Sequence, residues 1–566
     1  MKQLIKRIPY NEIIIICLFL FILNNFTGKS DKIIVADGIG YYEYLPSIFI
    51  HHDFIRLNKN TNLERVEPEF NYTNYQGKKI NKYPCGTAIL ESPFFIYTLL
   101  RNYDSISNGY EKPFQKSVFI STTFYLFLGL FFLKKLLRLY NIRNTIIFIT
   151  QLFITLGSNI YFYTYYNGSF SHIYSFFLIT LFIFLIKKLS QVFNYKTFFI
   201  AISCLGMIFL VRQVNILVIL IVPFIFGDWK NLKNTLFNIL KEKKKLVLGF
   251  MIFFSIAFVQ SVAWYFQVGS FIVYSYQGEG FNFLKPELFN ILFSYKKGLF
   301  VYTPLLFLST LFSIFFIIKK RYFEFVSFIF FFLILTYILS SWWSWYYGCS
   351  FGLRAYIDFY GILIIPLALF LNQLDFKKNL IVFSMLLPTI PINLIQSYQY
   401  KEFIIHWIDM NKERYWTTFL KTDDQFKGLL WNNSPSEHET TTINQQQFSL
   451  EHKNNKFTYK FSADFKNTES PILKLKLRGF FNPKNNSKIK LTITDQQNNI
   501  IHYDERYTLT YSNEKINRRG DGYFYYLLDS NMIKHSNSLL IEIENPLEEF
   551  TRLTLYETSK CRYKKC

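Results

Sequence analysis

Long, almost uncharged runs of aliphatic and aromatic residues constrain this chain more than any other feature. Residues 13–26 and 246–266, for example, hold no acidic or basic side chain. The chain contains 66 Phe and 41 Tyr, and only 18% of its 566 residues are charged. A soluble domain has too little interior to bury so many long apolar runs. The runs therefore predict membrane-spanning helices.

The basic residues occupy short clusters between these runs, and together they give a formal net charge of +23. With eleven spans and a cytoplasmic N-terminus, every cluster falls on the inner side of the membrane. This distribution favours a multi-spanning membrane protein over a nucleic-acid-binding protein. The expected spans are residues 13–26, 118–133, 145–162, 173–186, 197–211, 214–226, 246–266, 299–318, 322–340, 356–371 and 380–395.

Two apolar regions need separate treatment. Residues 197–226 are interrupted by Arg212 and Gln213, and a single helix there would move the basic cluster at 230–245 to the outer side. We therefore predict a hairpin of two short helices with Arg212 near the outer surface. Residues 89–100 are short and contain Glu91 and Pro93, so they predict a juxtamembrane helix on the outer face.

These assignments divide the chain into three parts. Residues 1–400 form the transmembrane domain, with a long outer loop at 27–114, and residues 401–444 connect it to a third region. Residues 445–560 alternate polar and apolar side chains between turn signals, which predicts seven or eight short strands in a β-sandwich. The expected fold is a mainly α-helical polytopic membrane protein with a C-terminal β-sandwich outside the membrane.

The outer loop contains acidic residues close to the membrane. Asp37 lies in Asp-Gly-Ile-Gly-Tyr-Tyr, where the two glycines permit close backbone approach, and Tyr41, Tyr42 and Glu43 follow it. A carboxylate here can act as a general base, or it can cap the short helix that follows. Asp53 is a second carboxylate of the same loop, or simply a solvated acid.

Four cations are expected on the outer side, against the usual bias that places Lys and Arg inside. A single such residue usually extends its charged end to the lipid headgroups. Four at one boundary better fit recognition of a phosphate or pyrophosphate. They are Lys82, Arg212, Lys297 and Arg354. His172 begins a span on the same side, where it either contacts substrate or only starts the helix.

Four motifs, in this order and topology, resemble the GT-C superfamily of integral-membrane glycosyltransferases. They are residues 37–42 (DGIGYY), 82–84 (KYP), 298–304 (GLFVYTP) and 350–354 (SFGLR). The resemblance covers residues 1 to about 410. It is greatest to the branch of protein O-mannosyltransferases and lipid A aminoarabinose transferases, and to the bacterial members of that branch whose acceptor is unassigned.

The resemblance implies inverting transfer of a sugar from a polyprenyl-phosphate donor to a glycan, lipid or protein acceptor. The reaction would take place on the outer side of a bacterial cytoplasmic membrane. The implied catalytic carboxylates are Asp37 and Asp53, and the implied binding residues are Lys82, Arg212, Arg354, Lys297, Tyr41, Tyr42, Glu43 and His172. The better-known branches have an Asp-Glu pair where this chain has Asp37-Gly38. A divalent-metal role is therefore left open, and neither a metal ligand nor a cofactor is assigned.

A lipid-linked glycan transporter, or a related polymerase or ligase, is the alternative, because such proteins also combine eleven or twelve spans with outer cations. Transporters are expected to carry internal repeats and polar breaks near the middle of the membrane. The sequence contains no clear repeat. Its strongest polar interruptions, which lie near the ends of spans, are Arg212-Gln213, Glu324 and Asp358. A glycosyltransferase is therefore the favoured hypothesis.

Overall fold

The computed structural model divides the chain into two compact units, Met1–Tyr398 and Gln399–Cys566. The first is helical, and β-strands make up most of what is described of the second. The described residues are 9–52, 71–102, 106–408, 410–427, 440–442, 449–453, 456–461, 472–480, 488–495, 497–507, 521–529, 536–544 and 552–558.

A few helices of the first unit begin at a capping side chain. Asn194 accepts a hydrogen bond from the backbone N–H of Thr197 (2.8 Å), and Asp228 accepts one from Asn231 (2.8 Å). The longer helices are Tyr10–Ile22, Gly86–Arg101, Lys112–Leu139, Asn144–Leu156, His172–Gln191, Tyr195–Val211, Trp229–Lys241, Lys243–Val268, Pro304–Phe312, Tyr322–Ser340, Ile365–Gln373, Phe376–Leu386 and Thr389–Lys401.

Shorter helical turns join these elements or interrupt them. A π-helical turn, Leu23–Thr27, extends the first helix, and 3₁₀ turns occupy Gln213–Ile221, Arg354–Phe359 and Asp424–Phe426. The short α-helices are Asp37–Tyr42, Tyr44–Phe49, Ile160–Tyr165, Val222–Phe226, Leu288–Phe293, Leu299–Tyr302, Phe315–Ile318, Tyr360–Leu363 and Lys412–Thr418.

Seven helical segments within the described residues are long and apolar enough to cross a membrane. They are Tyr10–Thr27, Lys112–Leu139, His172–Gln191, Lys243–Val268, Tyr322–Ser340, Arg354–Gln373 and Phe376–Lys401. Four shorter apolar segments coincide with the remaining expected spans: Asn144–Leu156, Tyr195–Val211, Gln213–Phe226 and Pro304–Ile318. The prediction of a helical membrane protein is confirmed, whereas the number of eleven crossings stays a prediction.

Exposed apolar side chains support the same conclusion. On the helix Lys243–Val268, the exposed fractions of Phe250, Met251 and Phe254 are 56%, 63% and 62%. A helix whose large apolar side chains face outward requires an apolar environment such as lipid.

The region around Arg212 folds back on itself. Arg212 has an extended backbone (φ −154°, ψ 115°), so it separates the helix Tyr195–Val211 from the 3₁₀ turn after it. Arg212 lies beside His172, at the start of the helix His172–Gln191. Ile225 accepts a hydrogen bond from Lys187 near the end of that helix (3.0 Å). The segment Gln213–Phe226 therefore runs parallel to the helix His172–Gln191. The helix Tyr195–Val211 runs the opposite way, as the predicted hairpin requires.

The outer-loop region contains a small β-hairpin and a long helix. Strand β1 (Tyr72–Tyr75) pairs antiparallel with β2 (Lys78–Asn81). The helix Gly86–Arg101 covers the predicted juxtamembrane segment, and its Glu91 is 1% exposed. Tyr174 donates a hydrogen bond to Oε1 of Glu91 (2.7 Å). This carboxyl is therefore inside the helical unit rather than on its surface.

The second unit contains two antiparallel sheets. The five-stranded sheet has the order β4-β5-β10-β7-β8, and the four-stranded sheet has the order β3-β11-β6-β9. Their bounds are β3 Thr440–Thr442, β4 Ser449–Lys453, β5 Lys456–Phe461, β6 Ile472–Phe480, β7 Lys488–Asp495, β8 Ile500–Tyr507, β9 Asp521–Asp529, β10 Ser536–Glu544 and β11 Arg552–Thr558. The described residues of the predicted region are thus mostly in β-strands, while the sandwich and the three-part domain division stay predictions.

Candidate functional site

The two glycines that follow Asp37 let its short helix pack closely against other segments of the helical unit. A Cβ on Gly38 would lie 1.8 Å from Oγ of Ser169, and one on Gly40 would lie 2.2 Å from the ring of Tyr83. Neither neighbour leaves room for a larger residue. The Asp-Gly-x-Gly pattern therefore has a packing cause, since it lets the short helix Asp37–Tyr42 lie directly against both partners.

The backbone just before Asp37 is strained and externally supported. Ala36 has φ 48° and ψ −131°, a conformation that residues with a Cβ rarely adopt. Asn71 donates a hydrogen bond to the Ala36 carbonyl (3.2 Å), and Asn81 donates one to the Gly40 carbonyl (2.7 Å). Two asparagine side chains at the open end of the β1–β2 hairpin thus hold the residues on either side of Asp37.

Arg354 follows an equally constrained turn. Gly352 has φ +58°, and a Cβ there would lie 2.3 Å from Nδ2 of Asn159. Asn159 donates a hydrogen bond to the Phe351 carbonyl (3.0 Å), and the Phe351 N–H donates to the hydroxyl of Tyr163 (3.2 Å). The turn that carries Arg354 is therefore fixed by the segment around residues 159–163.

Asp37 and Arg354, which are more than 300 residues apart in the sequence, form an ion pair between Oδ2 and Nη2. The side chains are 20% and 12% exposed, so the pair remains accessible from outside. The guanidinium of Arg354 also lies over the ring of Phe170, 5.0 Å from its centroid. A carboxylate and a planar cation thus meet in a partly open position.

A second group of charges adjoins this pair. His172 Nδ1 lies 2.7 Å from Oδ1 of Asp358, and Arg212 Nη1 lies 3.2 Å from Oδ2. Arg212 Nη1 and His172 Nδ1 are 3.3 Å apart. Asp358 is fully buried, whereas Arg212 is 14% exposed. The buried carboxylate therefore holds two of the predicted binding residues in place.

Asn215 donates a further hydrogen bond to Asp358. Its Nδ2 donates to Oδ2 of Asp358 (2.8 Å) and also contacts Oγ of Ser175 (3.1 Å). In the tautomer whose Nδ1–H donates to the carboxylate, Nε2 is the imidazole nitrogen that carries the lone pair. Asp358 thus orients the histidine and one arginine at once.

Buried phenols surround the two charged groups. Burial raises the pKa of Tyr41, Tyr83, Tyr276 and Tyr347, and the Asp37 carboxylate contributes to the increase for the first three. The rings of Tyr41 and Tyr83 have centroids 4.6 Å apart. These hydroxyls therefore stay protonated at neutral pH and can donate hydrogen bonds to a ligand.

Lys297 approaches the same region from a different segment. Its ammonium, on a residue that is 1% exposed, donates to the carbonyl of Ser350. Electrostatic interactions connect Cys349 with Asp37, Arg354 and Lys297, and burial raises the pKa of the Cys349 thiol to about 11. Lys297 therefore adds a third positive charge near the base of the turn that leads to Arg354.

The other predicted cation, Lys82, has a different environment. Its Nζ lies 2.5 Å from Oε1 of Glu279, and Trp343 Nε1 donates to Oε2 of the same carboxylate (3.2 Å). The ammonium is thus matched by an acid that the sequence analysis did not consider. Its assignment to phosphate binding stays a prediction, with Glu279 as a competitor for any anion.

Two predicted contact residues take part in packing on another side of the short helix. Tyr42 is fully buried and donates to the Gly109 carbonyl (2.7 Å). Glu43 accepts hydrogen bonds from Tyr110 and from Ser47, the latter at 3.2 Å. Asp53 lies outside the described residues. Of the acidic outer-loop candidates, the structure therefore brings Asp37 into the cluster with Arg354.

Sequence reasoning missed the central role of Asp358, which was treated only as a polar interruption at the end of a span. A signal was present, because Asp358 follows Arg354 by four residues in an otherwise uncharged segment. The rule that an ionisable residue within a span is a functional candidate applies to it as well as to the arginine.

Among the described residues there is no group of three or more His, Cys, Asp or Glu side chains arranged to hold a metal ion. No protein-family model matches the chain, and none of the curated proteins compared with it is similar. The site is therefore characterised by its own geometry: two carboxylates, two arginines, a lysine and a histidine among neutral phenols.

Proposed function

We propose that this protein is an integral-membrane glycosyltransferase that moves a sugar from a polyprenyl phosphate to an acceptor outside the membrane, with inversion. The observation that carries the proposal is the meeting of Asp37, Arg354, Arg212 and His172, from four distant parts of the chain. Asp37 and Arg354 lie in two of the four motifs that suggested the GT-C resemblance.

The arginines of the cluster favour an anionic ligand. Arg212 and Arg354 lie in a largely buried region, and each guanidinium has five N–H donors, more than its contact with a carboxylate uses. A phosphate diester can accept hydrogen bonds from the remaining donors, because arginine guanidinium groups bind phosphate oxygens in a bidentate manner.

The proposed reaction is a single displacement at the anomeric carbon. The acceptor oxygen forms a bond to that carbon while the bond from the carbon to the phosphate oxygen breaks with its electron pair. The proton of the acceptor hydroxyl passes to the Asp37 carboxylate. Arg212 and Arg354 stabilise the negative charge that develops on the departing polyprenyl phosphate. Because there is one displacement, the anomeric configuration inverts.

The ion pair of Asp37 and Arg354 determines the order in which the donor binds and the acceptor is activated in this mechanism. While the ion pair is formed, Oδ2 of Asp37 contacts Arg354 and not an acceptor hydroxyl. A donor phosphate would compete for the same guanidinium and release the carboxylate for the acceptor hydroxyl. Donor binding would therefore precede activation of the acceptor.

A transport function is the second candidate, because several apolar helices are broken. Arg212 separates two segments, and Thr303 separates the turn Leu299–Tyr302 from the helix Pro304–Phe312. Discontinuous helices are typical of transporter binding sites. Such a protein would move a lipid-linked glycan without cleaving its phosphate bond, which makes the two functions separable by experiment.

The test uses purified protein in lipid nanodiscs supplied with radiolabelled polyprenyl-phosphate sugars. We expect wild type to release free polyprenyl phosphate, and Asp37→Asn to reduce this release about 10²- to 10⁴-fold. Asp31→Asn is the matched control, since Asp31 is an exposed acid of the same loop. Donor flipping without cleavage would favour the transporter, and equal turnover by wild type and Asp37→Asn would refute the assigned base.

A further inference from the structure

The helix Trp229–Lys241, here called the connecting helix, differs from the apolar segments that it joins. It lies between Gln213–Phe226 and Lys243–Val268. At 3.6 residues per turn, its apolar side chains collect on one side and its asparagines on the other. The proposed transferase does not use this helix, so its amphipathic character needs a separate explanation.

Hydrogen bonds fix the connecting helix at one end of the helical unit. Asn231 donates to the Ser190 carbonyl (2.9 Å), near the end of the helix His172–Gln191. The Tyr195 hydroxyl donates to the Asn238 carbonyl (2.8 Å), and Tyr195 begins the next apolar helix. The connecting helix thus lies where neighbouring apolar helices end, which is the level of a membrane boundary.

Only part of its apolar side packs against protein. Leu232 is 6% exposed, whereas the exposed fractions of Trp229, Leu236, Phe237 and Leu240 are 62%, 46%, 65% and 59%. These four side chains fall within about a third of the helix circumference. A helix of this kind lies in the membrane interface with its apolar face among the first acyl carbons.

Lysines are concentrated on and beside the same helix. Five of them are exposed and form no ion pair or hydrogen bond with the part of the chain that the structure describes. They are Lys230, Lys233, Lys241, Lys243 and Lys244. The nearby acids are engaged locally: Asp228 caps the helix, and Glu242 lies 3.9 Å from Lys245. The surface therefore combines an apolar face with uncompensated positive charge.

We propose that the connecting helix binds the surface of an anionic phospholipid leaflet, which by the expected topology is the cytoplasmic one. Trp229, Leu236, Phe237 and Leu240 enter the acyl boundary, and the lysines contact lipid phosphates. Charge complementarity selects this occupant, because clustered lysines on an amphipathic helix attract anionic headgroups. A neutral leaflet or a second apolar protein surface would leave the lysines unmatched.

The first test compares thermal midpoints in nanodiscs of phosphatidylcholine alone and of an equimolar mixture with phosphatidylglycerol. Wild type should melt higher in the mixture at about 0.1 M salt, and the difference should disappear near 1 M because salt screens exposed charges. The triple variant Lys230→Gln, Lys233→Gln, Lys241→Gln should lose about half of the shift or more.

The matched control removes three exposed lysines elsewhere, by Lys79→Gln, Lys112→Gln and Lys285→Gln. This control should retain the lipid-dependent shift. Equal losses in the two triple variants would reduce the effect to net charge and overturn the proposal.

A local measurement separates lipid from other occupants. Brominated phosphatidylglycerol should quench part of the tryptophan fluorescence of wild type, and Trp229→Phe should remove that part. If Trp229 is not quenched, and Phe237→Ser instead converts a dimer to a monomer, a second copy covers this face. That result would contradict the proposal.

Discussion

Two regions of this protein bury ion pairs among apolar helices, and they are built differently. In the first, here called the inner cluster because its charges are buried, Lys134 Nζ lies 2.5 Å from Oε2 of Glu12, and Gln151 donates to Oε1 (2.7 Å). These acid and base side chains are 0% and 7% exposed. In the second, here called the outer cluster because its ion pair is partly exposed, Asp37 and Arg354 remain 20% and 12% exposed. The inner ion pair is thus shielded from a ligand, whereas the outer ion pair is accessible to one.

The clusters also differ in charge and in hydrogen bonding. Glu12 and Lys134 match each other, and Gln151 uses its remaining donor on the Leu130 carbonyl (2.8 Å). The outer cluster contains two arginines, and Oδ1 of Asn215 is buried without a hydrogen-bond partner in the described part of the chain. A completed network serves stability, whereas an incomplete one leaves capacity for a ligand.

Removing one partner of the inner pair should have the largest effect on stability. Lys134→Met leaves the Glu12 carboxylate buried without its cation, so we expect a loss of about 3–5 kcal/mol in the free energy of unfolding. Adding Glu12→Gln should recover much of that loss, because the uncompensated charge is gone. Unfolding in detergent measures both variants.

Sugar transfer per folded molecule should remain near wild type in the Lys134→Met variant. A loss of turnover in correctly folded protein would break the distinction between the two clusters.

A substitution in the outer cluster should instead act mainly on activity. In the proposed mechanism Arg212 stabilises the departing phosphate, so we expect Arg212→Gln to decrease kcat for donor cleavage about 10²- to 10³-fold. Arg212→Lys should recover part of the rate, since it keeps the charge but loses the planar fork. Thermal unfolding of both variants provides the control. If the glutamine and lysine variants are equally inactive, charge alone does not explain the role of Arg212.

A smaller effect should come from the turn before Arg354. Gly352→Ala places a Cβ 2.3 Å from Nδ2 of Asn159 at φ +58°, and we expect a cost of about 1–3 kcal/mol together with reduced transfer. Gly348→Ala is the matched control, because Gly348 has φ +62° but nothing within 4 Å of the added Cβ. Similar results for the two variants would show that backbone strain, and not the contact with Asn159, determines the outcome.

Glu91 is another buried carboxyl, and no cation is paired with it in the described part of the chain. Its pKa can therefore be compared with that expected for an ion-paired acid. Burial raises its pKa to about 8, although the hydrogen bond from Tyr174 opposes the change. An unfolded glutamate has a pKa of about 4.3, so between these values the folded state binds the extra proton. Stability should therefore fall as pH rises through this range, by at most about 1.4 kcal/mol per pH unit.

Thermal midpoints measured from pH 5 to about 8 should show this slope, and Glu91→Gln should remove it. An unchanged slope in the glutamine variant would assign the pH dependence to another group.

Sequence patterns identified the apolar helices because lipid imposes the same demand on every residue of a span. They also marked Arg212 and Arg354 as candidates, since a charge in an uncharged segment near a membrane is conspicuous, and Asp37 through its glycine-rich motif. The environment of Lys82 was not predictable in the same way. Glu279, its partner, is 197 residues away in the sequence, and nothing local connects the two.

The sequence by itself determined the helical membrane class and the positions of most apolar segments, because hydrophobicity is a local property that the bilayer reads directly. Only the tertiary structure decided which charges meet. Asp358 holds His172 and Arg212, Glu279 holds Lys82, and Tyr42 and Glu43 turn toward other contacts. Such pairings depend on how distant helices pack, and the distances and directions of that packing are absent from any short stretch of sequence.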